Sequence, residues 1–387
     1  MIINNFFNSP RPHQLRFFTG FSISFNNPPV YLTGRKRGLD MDMAGEEKAA
    51  SEGTVIGYER EIKAISEAIE RSGSDTPSHI AIVAEPMGGR TTIVAEIRRL
   101  YGEKVYYLPL DFVIKKDALP DFACLVNDII LIDNCQFLAT RVIGGFDVLD
   151  AFLRTQITSK KIFITTWNAY SWQYLSSVMS IEAYFPTIVA LGKMDTEVLK
   201  QIILTRHKSG EIRFVDEGTA ERSIFFSMIH RTVRLPFTST EISVPWIKMN
   251  FTVMLSGLPR KKRVQISIED IIFEKINRIS DGNPGVAILL WDTSLKDNTI
   301  SLSAITETPY SISLDMNESF ILSVILSMES LHAKDLSAIA AGEIDIERVL
   351  YRLVQQDLVI DSAGYYSIAP FALRPVTDYL RKTRRLW

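Results

Sequence analysis

The sequence has little of what marks several common classes of protein. Its 387 residues include two cysteines and five histidines, which are too few and too scattered for a disulfide framework or a zinc site. No apolar run reaches the roughly 18 residues that a membrane-spanning helix needs. The N-terminus also lacks the charged start and apolar core of a secretion signal. These absences predict a cytoplasmic protein without a transmembrane segment.

The charge balance argues against one further class of function. The formal net charge is −2, so the chain as a whole has no general attraction to nucleic acid or to an anionic membrane. Any binding of that kind must come from a local basic patch.

What the sequence does contain indicates a globular protein of two or three domains. Hydrophobic residues make up 46% of the chain and charged residues 23%, a composition that supports packed cores at this length. Residues 1–53 differ, because they are rich in Asn, Pro, Phe and Ser and show neither helical nor strand periodicity. We expect them to form a poorly ordered N-terminal extension.

The most informative stretch runs from 79 to 92. Residues 80–84 form a short apolar run suited to a central parallel strand, and Gly88 and Gly89 follow it. Residues 92–100 then carry apolar side chains at helical spacing. A phosphate-binding loop requires this order of strand, glycine turn and helix, because backbone N–H groups at the start of the helix face the phosphates.

The match to the phosphate-binding motif itself is partial. The motif G-x-x-x-x-G-K-[ST] falls on 84–91, where Gly89 and Thr91 match. Its first glycine is replaced by Ala84 and its lysine by Arg90. A plain strand-to-helix turn that needs glycine for its backbone angles would look the same. The segment alone therefore leaves both interpretations open.

Further strands and helices alternate after this loop. Short apolar runs predict the strands, and apolar residues at helical spacing predict the helices. The predicted strands are 104–110, 128–133, 161–166 and 185–191, and the predicted helices include 146–154 and 171–179. This alternation predicts an α/β fold with a parallel sheet and helices on both faces.

Two of the predicted strands end in polar residues. Asp133 and Asn134 follow the apolar run 129–132, and Asn168 ends the run 162–168. Because the carboxyl ends of parallel strands share one edge of a sheet, these side chains are candidates for a site beside the loop. A simple strand end or a turn asparagine would give the same pattern.

Residues 194–314 are predicted to be mainly helical. Helices are predicted at 194–207, 217–231 and 267–279, and either Asp195 or Thr196 caps the first of them. The stretch between the last two is predicted to be irregular. It contains the basic run Arg260–Arg263, which suits either a solvated loop or nucleic-acid contact. A Gly-Asn-Pro-Gly turn at 282–285 then precedes an apolar helix at 286–291.

Residues 315–387 have the pattern of a winged-helix domain. Helices are predicted at 317–328, 333–340 and 344–356, a wing at 358–368 with Gly364 in its turn, and a last helix after Pro370. In such domains the third helix is the one that reads DNA. Many of them bind proteins instead, so both kinds of partner stay open.

From 55 to 387, the order of these motifs resembles archaeal-type AAA+ and STAND ATPases. Five segments are similar, in order, to the family's pre-loop segment, P-loop, Walker B strand, sensor-1 strand and G-x-P turn; they are 55–69, 84–91, 129–134, 162–168 and 282–285. The resemblance implies a parallel P-loop NTPase sheet with helices on both faces, a helical lid and a C-terminal winged helix. The implied domains are 54–193, 194–314 and 315–387.

The same resemblance implies that the chain binds ATP or ADP together with Mg²⁺. The implied nucleotide contacts are Val55, Ile56, Pro86, Gly88, Gly89, Arg90, Thr91, Thr92 and Pro284. Thr91 and Asp133 would bind Mg²⁺. Asp133, Asn134 and Asn168 hold the positions of residues that support hydrolysis.

Departures from the family pattern predict weak or absent hydrolysis. Arg90 keeps the positive charge of the usual lysine but is bulkier and planar. Asn134 stands in place of the usual glutamate and cannot act as a general base. Residues 162–192 contain no Arg or Lys that could serve as an arginine finger, and the helix after Pro284 lacks the sensor-2 arginine. Groups of this kind stabilise the transition state more than the bound nucleotide.

We therefore predict a nucleotide-binding regulatory switch whose output passes through the winged helix to DNA or to a protein. The DNA contacts would come from Arg348, Arg352, Arg381, Lys382, Arg384 and Arg385. Two alternatives stay open. One is a nucleotide-free scaffold, acting as a DNA-binding or interaction protein on an ATPase-derived fold. The other is a slow ATPase that uses Arg90.

Overall fold

The computed structural model describes residues 55–72, 77–115, 119–215, 226–234, 241–249, 267–307, 310 and 312–386. The N-terminal extension and the basic run Arg260–Arg263 lie outside the described residues, so the interpretations given for them stay predictions. Within the described part of the chain, no helix combines the length and the apolar character that crossing a membrane requires.

A five-stranded parallel sheet forms the centre of the fold. Its strands are β1 (Ile80–Ala84), β2 (Val105–Pro109), β3 (Ile129–Asp133), β4 (Ile162–Asn168) and β5 (Thr187–Ala190), in the spatial order β2-β3-β4-β1-β5. Every neighbouring pair is parallel, which confirms the predicted α/β class. β1 and β3 are buried at every position, as expected for strands covered on both faces.

Two hydrophobic clusters lie on the two faces of this sheet. In β1, Ile80 and Ile82 belong to the first cluster, whereas Ala81 and Val83 belong to the second. This alternation follows from the strand geometry, in which successive side chains point to opposite faces. The first cluster is covered by α1 (Glu59–Arg71) and α2 (Arg90–Tyr101), and the second by α3 (Asp147–Thr158) and α4 (Ala169–Met179). The predicted helices on both faces are therefore confirmed.

Three more helices extend the first cluster beyond the sheet. They are α5 (Thr196–Leu204), α6 (Ile268–Ser280) and α7 (Pro284–Ser294). Each is capped by a side chain that accepts a backbone N–H of the first turn; the caps are Asp195, Ser267 and Asn283. A short parallel pair, β6 (Arg213–Val215) with β9 (Thr299–Ser301), lies in the same region.

The helix predicted at 217–231 is wrong where the structure describes it. Residues Phe226–Arg234 form a strand, β7, which pairs antiparallel with β8 (Glu241–Met249). Residues 216–225 lie outside the described residues. β8 also shows that the stretch before the basic run is not irregular throughout. Both strands are rich in β-branched and aromatic residues, which favour strands over helices. The prediction went wrong because it relied on helical spacing of the apolar residues and not on this composition.

The C-terminal unit, residues 312–386, begins with a well-capped helix. In α8 (Met316–Met328), Asp315 accepts the N–H of Glu318 and the Glu318 side chain accepts the N–H of Asp315. The elements that follow are β10 (Ser330–His332), α9 (Ala333–Ile339), α10 (Ile346–Gln355), β11 (Val359–Ser362), β12 (Tyr365–Ile368) and α11 (Leu373–Lys382). The three strands form one antiparallel sheet in the order β10-β12-β11.

The C-terminal unit shares its core with the second face of the central sheet. Residues 321–328 of α8 are all buried, and the apolar ones among them belong to the same hydrophobic cluster as α3 and α4. A helix that is apolar on all sides needs neighbours on all sides. α8 is therefore the element that joins the C-terminal unit to the sheet.

A buried histidine makes stability depend on pH. His79 precedes β1, its side chain is 6% exposed, and its Nδ1 accepts the N–H of Phe163 at 3.4 Å. Burial lowers the pKa of His79 to about 4 from the ordinary 6.5. As the pH falls below about 6.5, the unfolded chain takes up a proton that the folded chain does not, so stability is lost down to about pH 4.

We expect His79→Asn, which can still accept from Phe163, to remove this part of the acid sensitivity. Between pH 7.5 and pH 5 the wild-type chain should lose roughly 2 kcal/mol more stability than the variant. Urea unfolding at the two pH values measures the difference, and the comparison at pH 7.5 controls for packing. Equal losses in the two proteins would contradict the assignment.

Candidate functional site

The carboxyl edge of the sheet brings together the residues that the sequence singled out. β1 ends at Ala84, β3 at Asp133 and β4 at Asn168, and Ala84 is in register with Asn168. The segment Ala84–Thr91, from the last residue of β1 to the second residue of α2, is called the glycine loop below. It lies at the same edge as the two polar strand ends because all three strands run in the same direction.

The glycine loop leads directly into an uncapped helix. Met87 and Gly89 adopt left-handed backbone angles, with φ of 61° and 90°, and α2 begins at Arg90. No side-chain hydrogen bond caps this helix start, so the N–H groups of its first turn lack the kind of partner that caps the starts of α5, α6 and α7. Such N–H groups, together with the helix dipole, favour an anion.

Three carbonyl groups of the glycine loop accept hydrogen bonds from other parts of the chain. Asn283 Nδ2 donates to the Pro86 carbonyl at 2.8 Å, and the Gly285 N–H donates to the Met87 carbonyl at 3.1 Å. The Tyr58 hydroxyl donates to the Gly88 carbonyl at 2.8 Å. The loop conformation is therefore held from two sides, by the residue before α1 and by the turn before α7.

Close packing around the loop leaves no room for a side chain at two glycine positions. A side chain at Gly89 would overlap the Tyr58 hydroxyl, and a Cβ at Gly285 would lie 2.7 Å from both the Cβ and the carbonyl oxygen of Met87. Pro284, a predicted nucleotide contact, is buried in the turn that touches the loop. Val55 and Ile56 are half-buried next to Tyr58.

Arg90 lies in a polar cluster with Gln136, Asn168 and Glu329. Its side chain is only 8% exposed. Nη2 forms an ion pair with Oε1 of Glu329, and Nη1 donates to Gln136 Oε1 at 3.5 Å. Asn168 Nδ2 donates to the same Glu329 Oε1 at 2.9 Å. The first residue of α2 and the end of β4 therefore hold one carboxylate oxygen of the C-terminal unit.

The Asn168 side chain makes four hydrogen bonds. Its Oδ1 accepts the N–H groups of Tyr170 at 2.8 Å and Ser171 at 3.3 Å, which caps α4. Its Nδ2 donates to the Leu326 carbonyl at 2.9 Å in addition to Glu329. A new ligand for Asn168 must therefore replace one of these partners.

Asp133 is a buried carboxylate with several donors. Its Oδ1 accepts the hydroxyl of Thr166 and the N–H of Asn134 at 3.0 Å, and Oδ2 accepts the Tyr107 hydroxyl at 3.3 Å. Asn134 adopts a left-handed φ of 60°. The pKa of Asp111, which follows β2 at this edge, is raised first by burial of the side chain and to a smaller extent by the charge of Asp133. The charge of Asp133 therefore acts on a second carboxylate at this edge.

Several predicted site residues make no bond that tests their role. Thr91 and Thr92 lie in the first turn of α2 with exposed side chains. Among the described residues, no hydrogen bond joins Thr91 to Asp133, so their shared binding of Mg²⁺ stays a prediction.

The predicted DNA-binding residues fall into two groups. Arg352 lies 2.9 Å from Oε1 of the buried Glu318, and Arg381 forms an ion pair of 3.2 Å with Glu85 of the glycine loop. These two contacts tie basic side chains to the protein itself. Of the others, Arg348, Lys382 and Arg384 are exposed and Arg385 is half-buried.

Sequence reasoning missed four residues that organise this site. They are Tyr58, Gln136, Asn283 and Glu329. Gln136 follows Asp133 by three positions, and Asn283 lies inside the turn already singled out, so both were close to recognised motifs. Glu329 lies 239 residues from Arg90 along the chain, and no local pattern connects two residues at that separation.

Comparison with known proteins gives only weak similarities. No family model matches the chain, and no curated protein gives a sequence match. The RuvB Holliday junction branch migration motor of Thermotoga maritima is 15% identical, with a TM-score of 0.38, over 83% of this chain and 95% of that chain. ORC2 of Aeropyrum pernix, in ADPNP and ADP complexes, is 13% identical, with a TM-score of 0.38, over 87% and 98%. Cdc6p of Pyrobaculum aerophilum is 12% identical, with a TM-score of 0.35, over 84% and 94%. TM-scores below 0.5 assign neither a family nor a function to this chain.

The contact between the turn and the glycine loop predicts the effect of Gly285→Ala. Alanine favours a helix more than glycine does, but here its Cβ would collide with Met87. We expect a net loss of about 1–2 kcal/mol in the free energy of unfolding, measured by urea denaturation. Gly192→Ala is the matched control, because a Cβ there meets nothing within 4 Å. Equal free energies of unfolding in the two variants would show that the turn accommodates the added methyl group without loss of stability.

Proposed function

We propose that this chain is a nucleotide-binding regulatory switch that binds ATP or ADP with Mg²⁺ and hydrolyses it weakly or not at all. The observation that carries the proposal is the polar cluster at the start of α2. There Arg90 and Asn168 both donate to one anionic oxygen, that of Glu329. The uncapped N-terminus of α2 lies directly beside Arg90. Together these donors suit a phosphate chain.

The residues present fit a nucleotide and one Mg²⁺ ion. The N–H groups of the glycine loop and the first turn of α2 would hold the phosphates, and Val55, Ile56 and Pro284 would lie around the base. Thr91 and Asp133 would bind the metal. One hydroxyl and one carboxylate are enough protein ligands for Mg²⁺, because phosphate oxygens and water complete its shell.

Three features support weak or absent hydrolysis. Asn134 has an amide where a general base would be needed, and its left-handed backbone is one that a glutamate adopts only with strain. Asn168 already has four hydrogen-bond partners, so orienting a water would require one of them to leave. Residues 162–192 also contain no cation that could stabilise transferring phosphate.

We further propose that the C-terminal unit is a winged helix that passes the nucleotide state to a partner. Its order of helix, strand, two helices and two strands supports this interpretation. Nucleotide and partner would be coupled because Glu329 and Arg381 of this unit contact Arg90 and Glu85 at the glycine loop. Such coupling needs contacts that differ between two states.

The competing proposal is a nucleotide-free scaffold. It is favoured by the same ion pair, because Glu329 neutralises Arg90 without any ligand. It is disfavoured by the way Arg90 and Asn168 converge on one anionic oxygen beside the start of α2, since this set of donors suits a phosphate group.

Thermal unfolding separates these two proposals. We expect Mg²⁺-ADP or Mg²⁺-ATP to raise the melting temperature of the full chain, because a ligand at a hundred times its Kd adds about 2.7 kcal/mol to the folded state. Adenosine, which has no phosphates, is the ligand control and should give a much smaller shift. Asp133→Asn should weaken the part of the shift that depends on Mg²⁺. If no nucleotide changes the melting temperature, the result favours the nucleotide-free scaffold.

DNA as the partner predicts a salt-dependent interaction with a defined set of arginines. The full chain should bind duplex DNA, with an affinity that falls steeply as salt rises. Arg348→Gln together with Arg384→Gln should reduce the slope of log K against log salt by about 0.9 for each DNA phosphate that the variant no longer neutralises. Arg352→Gln is the matched control, because Arg352 is already paired with Glu318 and Asp315. If the chain does not bind DNA even at low salt, DNA is ruled out as the partner and a protein stays as the proposed one.

A further inference from the structure

The placement of Glu329 is unusual for a residue that only joins two parts of a fold. It directly follows α8 and has φ of 67° and ψ of −47°, a combination that residues with a Cβ adopt at a cost. Its side chain reaches the carboxyl edge of the sheet, where a single oxygen, Oε1, is shared by Arg90 and Asn168. A strained backbone thus delivers a carboxylate to the centre of the candidate site.

The chemistry at this point matches that of a terminal phosphate oxygen. A guanidinium and a primary amide converge on one anionic oxygen, and both are donors that also bind phosphate. Arg90 is the first residue of α2, so an anion held by the first-turn N–H groups lies within reach of its side chain. Asn168, in register with the last residue of β1, bounds the same space from the neighbouring strand.

Resting on the proposed function, we infer that Glu329 is an intramolecular stand-in for the terminal phosphate of a nucleoside triphosphate. While Glu329 occupies Arg90 and Asn168, a nucleoside diphosphate can bind the glycine loop without competing for them. A triphosphate must first displace the carboxylate, because two anions cannot share one pair of donors without strong repulsion. The resting chain should therefore prefer a diphosphate to a triphosphate.

Burial indicates how the displacement happens. Residues 321–328 of α8 are all buried in the core shared with the sheet, so withdrawing the whole helix would expose a large apolar surface to water. The Glu329 side chain, in contrast, is 26% exposed and can rotate toward solvent. Its release removes one of the polar links between the C-terminal unit and the site. Two others are the hydrogen bond from Asn168 Nδ2 to the Leu326 carbonyl and the ion pair between Arg381 and Glu85.

The test compares Mg²⁺-ADP and Mg²⁺-ATP as ligands of the full chain by isothermal titration calorimetry. For the wild type we expect ADP to bind at least tenfold more tightly than ATP. Glu329→Gln keeps an oxygen for Arg90 and Asn168 but removes the charge, and should lower that ratio tenfold or more, chiefly by tightening ATP. Glu329→Asp shortens the side chain by one methylene, keeps the charge and should lower the ratio less. It also gives a second reading if the Gln variant folds poorly.

Glu343→Gln is the matched control, because Glu343 is an exposed acid of the same C-terminal unit and removing its charge should leave the ratio unchanged. Two outcomes would overturn the inference, and they can be told apart. If both nucleotides bind the wild type and the ratio does not move in either Glu329 variant, Glu329 has a structural role only and the proposed function stands. If neither nucleotide binds the wild type or any folded variant, the proposed function fails together with the inference.

Discussion

The cation of Arg90 is the constraint on which the rest of the site depends. It lies at the start of α2, where the helix dipole has its positive end, and its side chain is almost completely removed from water. A buried charge in that position is unstable without an anion beside it. In this conformation the anion is Glu329, from a unit that begins more than two hundred residues later in the chain. The ion pair thus adds a charged contact to the docking of the C-terminal unit, which α8 anchors through its buried apolar side chains.

Elements packed on both faces of the sheet position this site. The first cluster carries α1, α2 and α5–α7, so the residues that brace the glycine loop, Tyr58, Asn283 and Gly285, come from that side. The second cluster carries α8, so Glu329 arrives from the opposite side. The site lies at the carboxyl edge, where elements packed on both faces can reach it. A structural change at this edge can therefore affect the helices on both faces of the sheet.

Much of the central architecture could be predicted because its signals are local. The apolar runs of β1, β3 and β4, the turn glycines and the polar strand ends all lie within a few residues of the feature that they define. The antiparallel pair β7–β8 is also local, since Arg234 pairs with Glu241. It was missed because a helical spacing in the first strand outweighed the β-branched and aromatic residues that favour a strand.

The sequence by itself determined the parallel sheet, the position of the glycine loop and the presence of Asp133 and Asn168 at one edge. Strand direction and side-chain alternation are enough for that. Only the tertiary structure decided that Asn168 is fully hydrogen-bonded, that Arg352 and Arg381 are paired within the chain, and that Glu329 meets Arg90. The physical reason is that charge pairing depends on distance in space, and a single sequence carries no record of which distant residues come within hydrogen-bonding distance when the cores close.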